Sequence, residues 1–151
     1  MKRILTSTLV AVLTSSIALP AIADPMTYDE AIADIEATVG FVPTFMLSMP
    51  KAGFAGAWQQ LKELEFSGDT ALSAKVKTLI ELAVVSQIPC EYCIWADAEA
   101  ARALGATDEE IAEAVAVAGT GRFWSTMLNG TQQNLDTFKA EFSQMLGAEA
   151  E

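Results

Sequence analysis

Histidine does not occur anywhere in the 151 residues. Its absence removes every Ser-His-Asp or Cys-His constellation, every histidine general base and every histidine-ligated metal. Basic residues are scarce: 9 Lys+Arg stand against 20 Asp+Glu, a formal net charge of −11. A chain of that sign is unsuited to nucleic acid or to an anionic membrane surface. Cysteine occurs only as Cys90 and Cys93, so the sequence offers one thiol pair and little other nucleophilic chemistry. Alternating β patterns, repeats and low-complexity tracts are missing as well. Apolar residues nevertheless make up 52% of the chain and the mean hydropathy is +0.31, which is too apolar for disorder and enough for one packed domain.

The one long uncharged run is N-terminal. Lys2 and Arg3 precede residues 4–19, Pro20 breaks the run, and Ala21-Ile22-Ala23 has the small-residue form of a cleavage site. The run is about long enough to span a bilayer, but its Ser/Thr content and its Ala-x-Ala ending favour cleavage after Ala23 over an uncleaved anchor. Residues 1–23 are therefore expected to be a signal peptide and 24–151 a single exported domain, periplasmic or secreted. No membrane insertion is expected after cleavage. In such an oxidising compartment Cys90 and Cys93 are expected to rest as a disulfide.

The remainder reads as helices only, an all-α fold. Thr27-Tyr28-Asp29-Glu30 is a capping box, followed by Tyr28, Ile32, Ile35 and Val39 at helical spacing and closed by Gly40. A connector, 41–50, leads to a helix over 52–65 that stops at Ser67-Gly68. Ser73 caps a third helix whose stripe is Val76, Leu79, Ile80, Ala83 and Val84; with Leu82 and Val85 it is apolar nearly all round, so it is expected to be buried. Pro89 breaks the chain before a helix from about Glu91 to Leu104. Thr107-Asp108-Glu109-Glu110 is a second capping box. A short aromatic segment at Phe123-Trp124, a turn at Asn129-Gly130, and a last helix carrying Leu135, Phe138, Phe142 and Met145 complete the chain, with fraying expected from Gly147 onward. The count is eight or so short helices, rich in Ala and Met. Their uncovered apolar faces suggest a homo-oligomer.

One motif carries chemistry: Cys90-Glu91-Tyr92-Cys93 at a helix start. Zinc needs about four Cys or His ligands, and a c-type haem needs His where Ile94 stands. No metal or organic cofactor is implied. As a staple, a loop of about four residues gives only roughly 2 kcal/mol in the chain-entropy view. Redox exchange is the better reading, because the two sulfurs can close and reopen with little backbone movement. The helix N-terminus favours a thiolate. Spacing leaves open which sulfur attacks. Cys90 lies nearer the helix end; Cys93 has Asp97 one turn on, able to give or take a proton when protonated. Glu91 and the net charge oppose a strongly depressed thiol pKa. Glu81 interrupts the run 79–85. Buried, it would be an acid or base with a raised pKa; otherwise it marks the wet side of its helix, the reading Thr78 favours. Tyr92, Trp95, Phe123 and Trp124 are either pocket or core, and Arg122 either binds substrate or pairs with a carboxylate.

Residues 75–83 (KVKTLIELA), then Cys90-Glu91-Tyr92-Cys93, then Gly105-Ala106-Thr107-Asp108-Glu109-Glu110-Ile111 together resemble the carboxymuconolactone decarboxylase / alkylhydroperoxidase D-like family. Gly40-Phe41-Val42-Pro43 looks like that family's entry segment, and residues 124–130 resemble an exported subgroup of it. The resemblance implies an all-helical trimer or hexamer that reduces a small hydroperoxide and is recharged by a dithiol donor. It implies that Cys93 attacks and Cys90 resolves. The family's relay histidine, four residues after the second cysteine, corresponds to Asp97; its glutamate, twelve before the first, corresponds to Thr78. Asp97 and Glu81, one turn from Thr78, are the residues left to move protons. Two other readings stand beside this one: a non-catalytic helical module with a permanent disulfide, and a cofactor-free lactone decarboxylase, for which a chain without histidine is poorly equipped.

Overall fold

The computed structural model describes residues 25–88 and 90–147; residues 1–24, where the signal peptide is expected, and the last four residues lie outside the described part, as does Pro89. All regular structure among the described residues is helical. The order is α1 (Tyr28–Val39), a 3-10 turn (Met46–Ser48), α2 (Lys51–Leu61) running into a π turn (Lys62–Phe66), α3 (Ala74–Val85), α4 (Glu91–Ala103), α5 (Asp108–Gly130) and α6 (Leu135–Met145).

The starts follow from capping chemistry. At α1 the Glu30 N–H donates to Thr27 Oγ1 at 3.3 Å while the Thr27 N–H donates to Glu30 Oε2 at 2.7 Å. The same reciprocal pair closes at α5, with 3.1 Å from Glu110 N–H to Thr107 Oγ1 and 2.8 Å from Thr107 N–H to Glu110 Oε2. Ser73 accepts from the Val76 N–H and so opens α3. Gly40 ends α1 at φ 90°, and Gly105 ends the turn after α4 at φ 83°, conformations that a Cβ would strain.

The enclosed core lies between α1 and α2. Ala31, Ile35, Met46, Phe54 and Trp58 form it, with Tyr28, Ile32, Val42 and Leu61 packed around. Tyr28 and Phe54 meet with ring centroids 4.8 Å apart. Trp58 donates its indole N–H to Asp34 Oδ2 at 2.7 Å, and Lys62 reaches the same carboxylate at 2.7 Å. A buried indole is thereby left with no unmet donor.

A second group stacks α3 against α4 and α5, joined to the first through the π turn. Two expectations are corrected here. The stripe Val76, Ile80 and Val84 does not form the buried face of α3; all three are exposed, and the buried residues are Lys77, Thr78 and Leu82. A helix apolar nearly all round has two faces to cover, and α4 and the π turn cover only one. Ile80 and Val84 instead line an open groove of about 410 Å³ beside α5, with Ala114, Val117, Ala118 and Gly121 opposite. The other correction concerns how the chain divides: the described residues form eight helical elements, as many as expected, but two of them are the 3-10 and π turns. Phe123-Trp124 and Asn129-Gly130 are not separate pieces but the last turns of α5, a continuous helix of 23 residues. No proline interrupts it, and Thr120 and Thr126 return their hydroxyls to the carbonyls four residues back. The turn falls after it, where Gln132 takes φ 52°. None of the helices described is long and apolar enough to cross a membrane.

Candidate active site

Cys90 is the N-cap of α4. Its backbone is held outside the helix at φ −118°, ψ 86°. Its N–H donates back to the Ile88 carbonyl at 2.7 Å, and its own carbonyl accepts the first helical bond from Ile94 at 3.1 Å. One turn on, Cys93 faces the same way. The two sulfurs are bonded at 1.99 Å, with the Cα atoms 5.4 Å apart, and the Cys93 N–H points at the Cys90 sulfur at 3.3 Å. The disulfide expected at rest is therefore present. It sits on the positive end of a 13-residue helix, where a released thiolate is favoured.

The pair is half-buried and approachable. An open hollow of about 510 Å³ is lined by Cys90, Glu91, Tyr92 and Ile94. Tyr92 is 81% exposed and Trp95 also stands in solvent, so neither is core. A larger hollow, about 610 Å³, lies against Asp34, Lys62 and Phe66. None of the residues singled out for chemistry lines it, and of its three acidic residues Asp34 is already tied to Lys62 and Trp58.

α3 and α4 carry two carboxyls close enough to feel each other's charge. Glu81 and Asp97 are both half-buried. Burial is the first reason the Glu81 carboxyl is pushed up to about 7; the Glu65 carboxyl within hydrogen-bonding reach adds to the shift, and the Lys77 ammonium opposes it. The Asp97 carboxyl is raised too, by burial first and then by the charge of Glu81. Glu81 is thus not simply on a wet face. The Thr78 argument fails for the same reason: Thr78 is only 8% exposed, and its hydroxyl donates to the Ala74 carbonyl at 3.1 Å.

Two neighbours of Glu81 escaped the sequence reading. Lys77 looks like an ordinary solvent-facing helix lysine, and Glu65 lies in a polar stretch without periodic signal. Lys77 lies one turn before Glu81 on α3 itself, whereas Glu65 comes from the π turn, a separate element. The other sequence candidates lie elsewhere. Phe123 and Trp124 form an edge-to-face pair on α5, centroids 5.4 Å apart, both more than half exposed. Arg122 borders the groove between α3 and α5 and makes no ion pair among the described residues. No group of three metal-ligating side chains occurs among the described residues.

The fold is thus an all-helical domain in which a disulfide caps the start of α4, with two half-buried carboxyls, Glu81 and Asp97, on α3 and α4. Residues 52–132 match the carboxymuconolactone decarboxylase family, and the chain belongs to that family. A Paracoccus denitrificans protein described as "uncharacterized protein 4 in cox locus" is 36% identical over 88 residues, covering 50% of this chain and 78% of the relative. The crystal structure of an alkylhydroperoxidase AhpD core from Rhodospirillum rubrum superposes with a TM-score of 0.62 at 30% identity, covering 73% of this chain and 83% of that one.

Proposed function

We propose that the protein is an exported thiol oxidoreductase that reduces a small hydroperoxide and is reset by an external dithiol. The observation that carries this reading is the Cys90–Cys93 pair at the start of α4, with Asp97 one turn beyond Cys93 and Glu81 behind it. Family membership and the alkylhydroperoxidase neighbour support it. Cys93 is assigned the attack. Its thiolate sulfur takes the distal peroxide oxygen, the O–O bond breaks, and the alkoxide leaves with a proton as an alcohol. Cys90 sulfur then attacks the sulfenic acid, the S–S bond forms and water departs. The donor dithiol is oxidised as the pair is reduced by exchange. No cofactor enters.

Export rests on the signal-like segment 1–23. A homo-oligomer, trimer or hexamer, is supported by the exposed Val117, Phe123, Trp124, Leu135 and Phe142 on α5 and α6. A polypeptide of residues 24–151 with excess dithiol and an organic hydroperoxide tests the reading. Turnover is expected, and Cys93→Ser should abolish it. Absence of turnover above the dithiol blank would favour a helical module with a permanent disulfide. Activity toward a lactone that survives loss of both cysteines would favour decarboxylation.

A further inference from the structure

Two features of the open half of the molecule have no partner within the chain. The first is α6. Its 11 residues are capped by Asn134, which accepts from the Thr137 N–H at 2.9 Å. Only residues 131–134 separate it from α5, yet it does not fold back along that helix, and no other helix among the described residues packs against it. A helix of that length is marginal in water by itself, and a stacked pair such as Phe138–Phe142 adds little. Such helices are held by an apolar face laid against a neighbour. α6 has that face: Leu135, Phe138, Phe142 and Met145 recur at helical spacing, with Leu135 61% and Met145 80% exposed.

The second is the groove of about 410 Å³ between α3 and α5. Lys75 near the start of α3 pairs with Glu110 near the start of α5, so the two helices run the same way. Small residues of both, Ala83, Ala114, Ala118 and Gly121, line the groove beside Ile80 and Val84. A Cβ on Gly121 would meet nothing within 4 Å, so the space there is open. One end is polar, with Gln87, Arg122 and Ser125. Gln87 stands three residues before Cys90, so this is the end of α3 that leads into the disulfide.

We infer that the α3–α5 groove of one copy receives α6 of a second copy. Size is complementary: a trench lined by alanine and glycine admits the large side chains of the α6 stripe. Charge is complementary as well. Arg122 is the one cation that lines the groove, and Glu141 borders the α6 stripe one turn from Phe138. Neither has an ion-pair partner among the described residues. In a chain with 20 acidic against 9 basic residues, an unpaired arginine in an apolar groove selects an acidic occupant, and α6 carries one. Each copy then offers one arm and one groove, an arrangement that can close into a ring. The inference deepens the homo-oligomer proposed above and rests on that part of the reading, not on the hydroperoxide chemistry.

Sedimentation of the chain 24–151 over a range of concentrations tests it, with circular dichroism to confirm unchanged helix content. The unaltered chain should assemble. Arg122→Glu and Glu141→Arg should each weaken association by about tenfold or more, since each sets like charges against one another in the seat. The double variant restores an opposite pair and should recover association to within about threefold of the unaltered chain. Gly121→Phe fills the groove from its own chain, at a position with room for it, and should dissociate the assembly. Assembly that persists in Gly121→Phe, or a double variant no better than the single ones, would overturn the seat and leave an oligomer built through another face. An unaltered chain that stays monomeric would overturn seat and oligomer together. If that monomer binds a fluorescent fatty acid and loses it in Arg122→Glu, the groove belongs to a small acidic amphiphile instead. Hydroperoxide turnover is read separately, so failure of the seat and failure of the thiol chemistry are distinguishable.

Discussion

The pair α1–α2 and the pair α5–α6 are built from similar material and end in opposite conditions. Both are rich in aromatic and aliphatic side chains. In the first pair Phe54 and Trp58 are 1% exposed, and Ile35 is sealed completely. In the second, no residue is fully buried, although α5 is the longest of the described helices. α6 carries a stacked Phe138–Phe142 pair, centroids 5.5 Å apart, yet rests against no other helix among the described residues. Hydrophobic content alone therefore does not make a core. α1 and α2 enclose a core across a short connector, whereas α5 faces α3 across an open groove that extends to Ser125. The candidate site lies between these extremes, on α3 and α4, where burial is partial. That intermediate setting raises carboxyl pKa values without expelling the side chains from solvent.

The sharpest way to probe this contrast is to cut into the sealed half. Phe54→Ala should cost about 3–5 kcal/mol in urea unfolding, the range for emptying an aromatic site in a packed core. A loss under about 1 kcal/mol would mean that the α1–α2 core is no more essential than the open half. Next comes the join between the halves. Lys77→Met should cost about 1–3 kcal/mol, because the Leu64, Glu65 and Ser67 carbonyls lose their donor. Protease cleavage within residues 62–69 should quicken in that variant; an unchanged rate would detach Lys77 from any locking role. The smallest effect on folding is expected at the open end. Trp124→Ala should change the unfolding free energy of the single chain by no more than about 0.5 kcal/mol. It should instead weaken self-association in sedimentation, since the indole is more than half exposed. A large folding loss there would erase the contrast between the two regions.

Much of the fold was legible because it depends on local rules. Both capping boxes, the Ser73 cap, the glycine stops and the helix start at Cys90 act over three or four residues, and all appear where the sequence predicts them. The break expected near Phe123 failed because bulky residues and two glycines weaken a helix only modestly, while nothing there ends one. The wrong buried face of α3 has a different origin. Periodicity identifies stripes, but a helix with two apolar stripes does not say which one its neighbours will cover.

The chemistry divides along the same line. The sequence by itself determined the helical class, the absence of histidine chemistry, and a cysteine pair whose three-residue spacing lets the sulfurs meet within one turn. Asp97 was legible as well, being four residues from Cys93 on the same helix face. Tertiary structure alone decided that Glu81 and Asp97 are half-buried with raised carboxyls, that Glu65 adds to the shift at Glu81, and that Lys77 is buried against the carbonyls of Leu64, Glu65 and Ser67. Those relations join residues 10 to 16 positions apart in sequence. Their energies depend on desolvation and on the meeting of charges from separate elements, quantities that exist only once the π turn, α3 and α4 have come together.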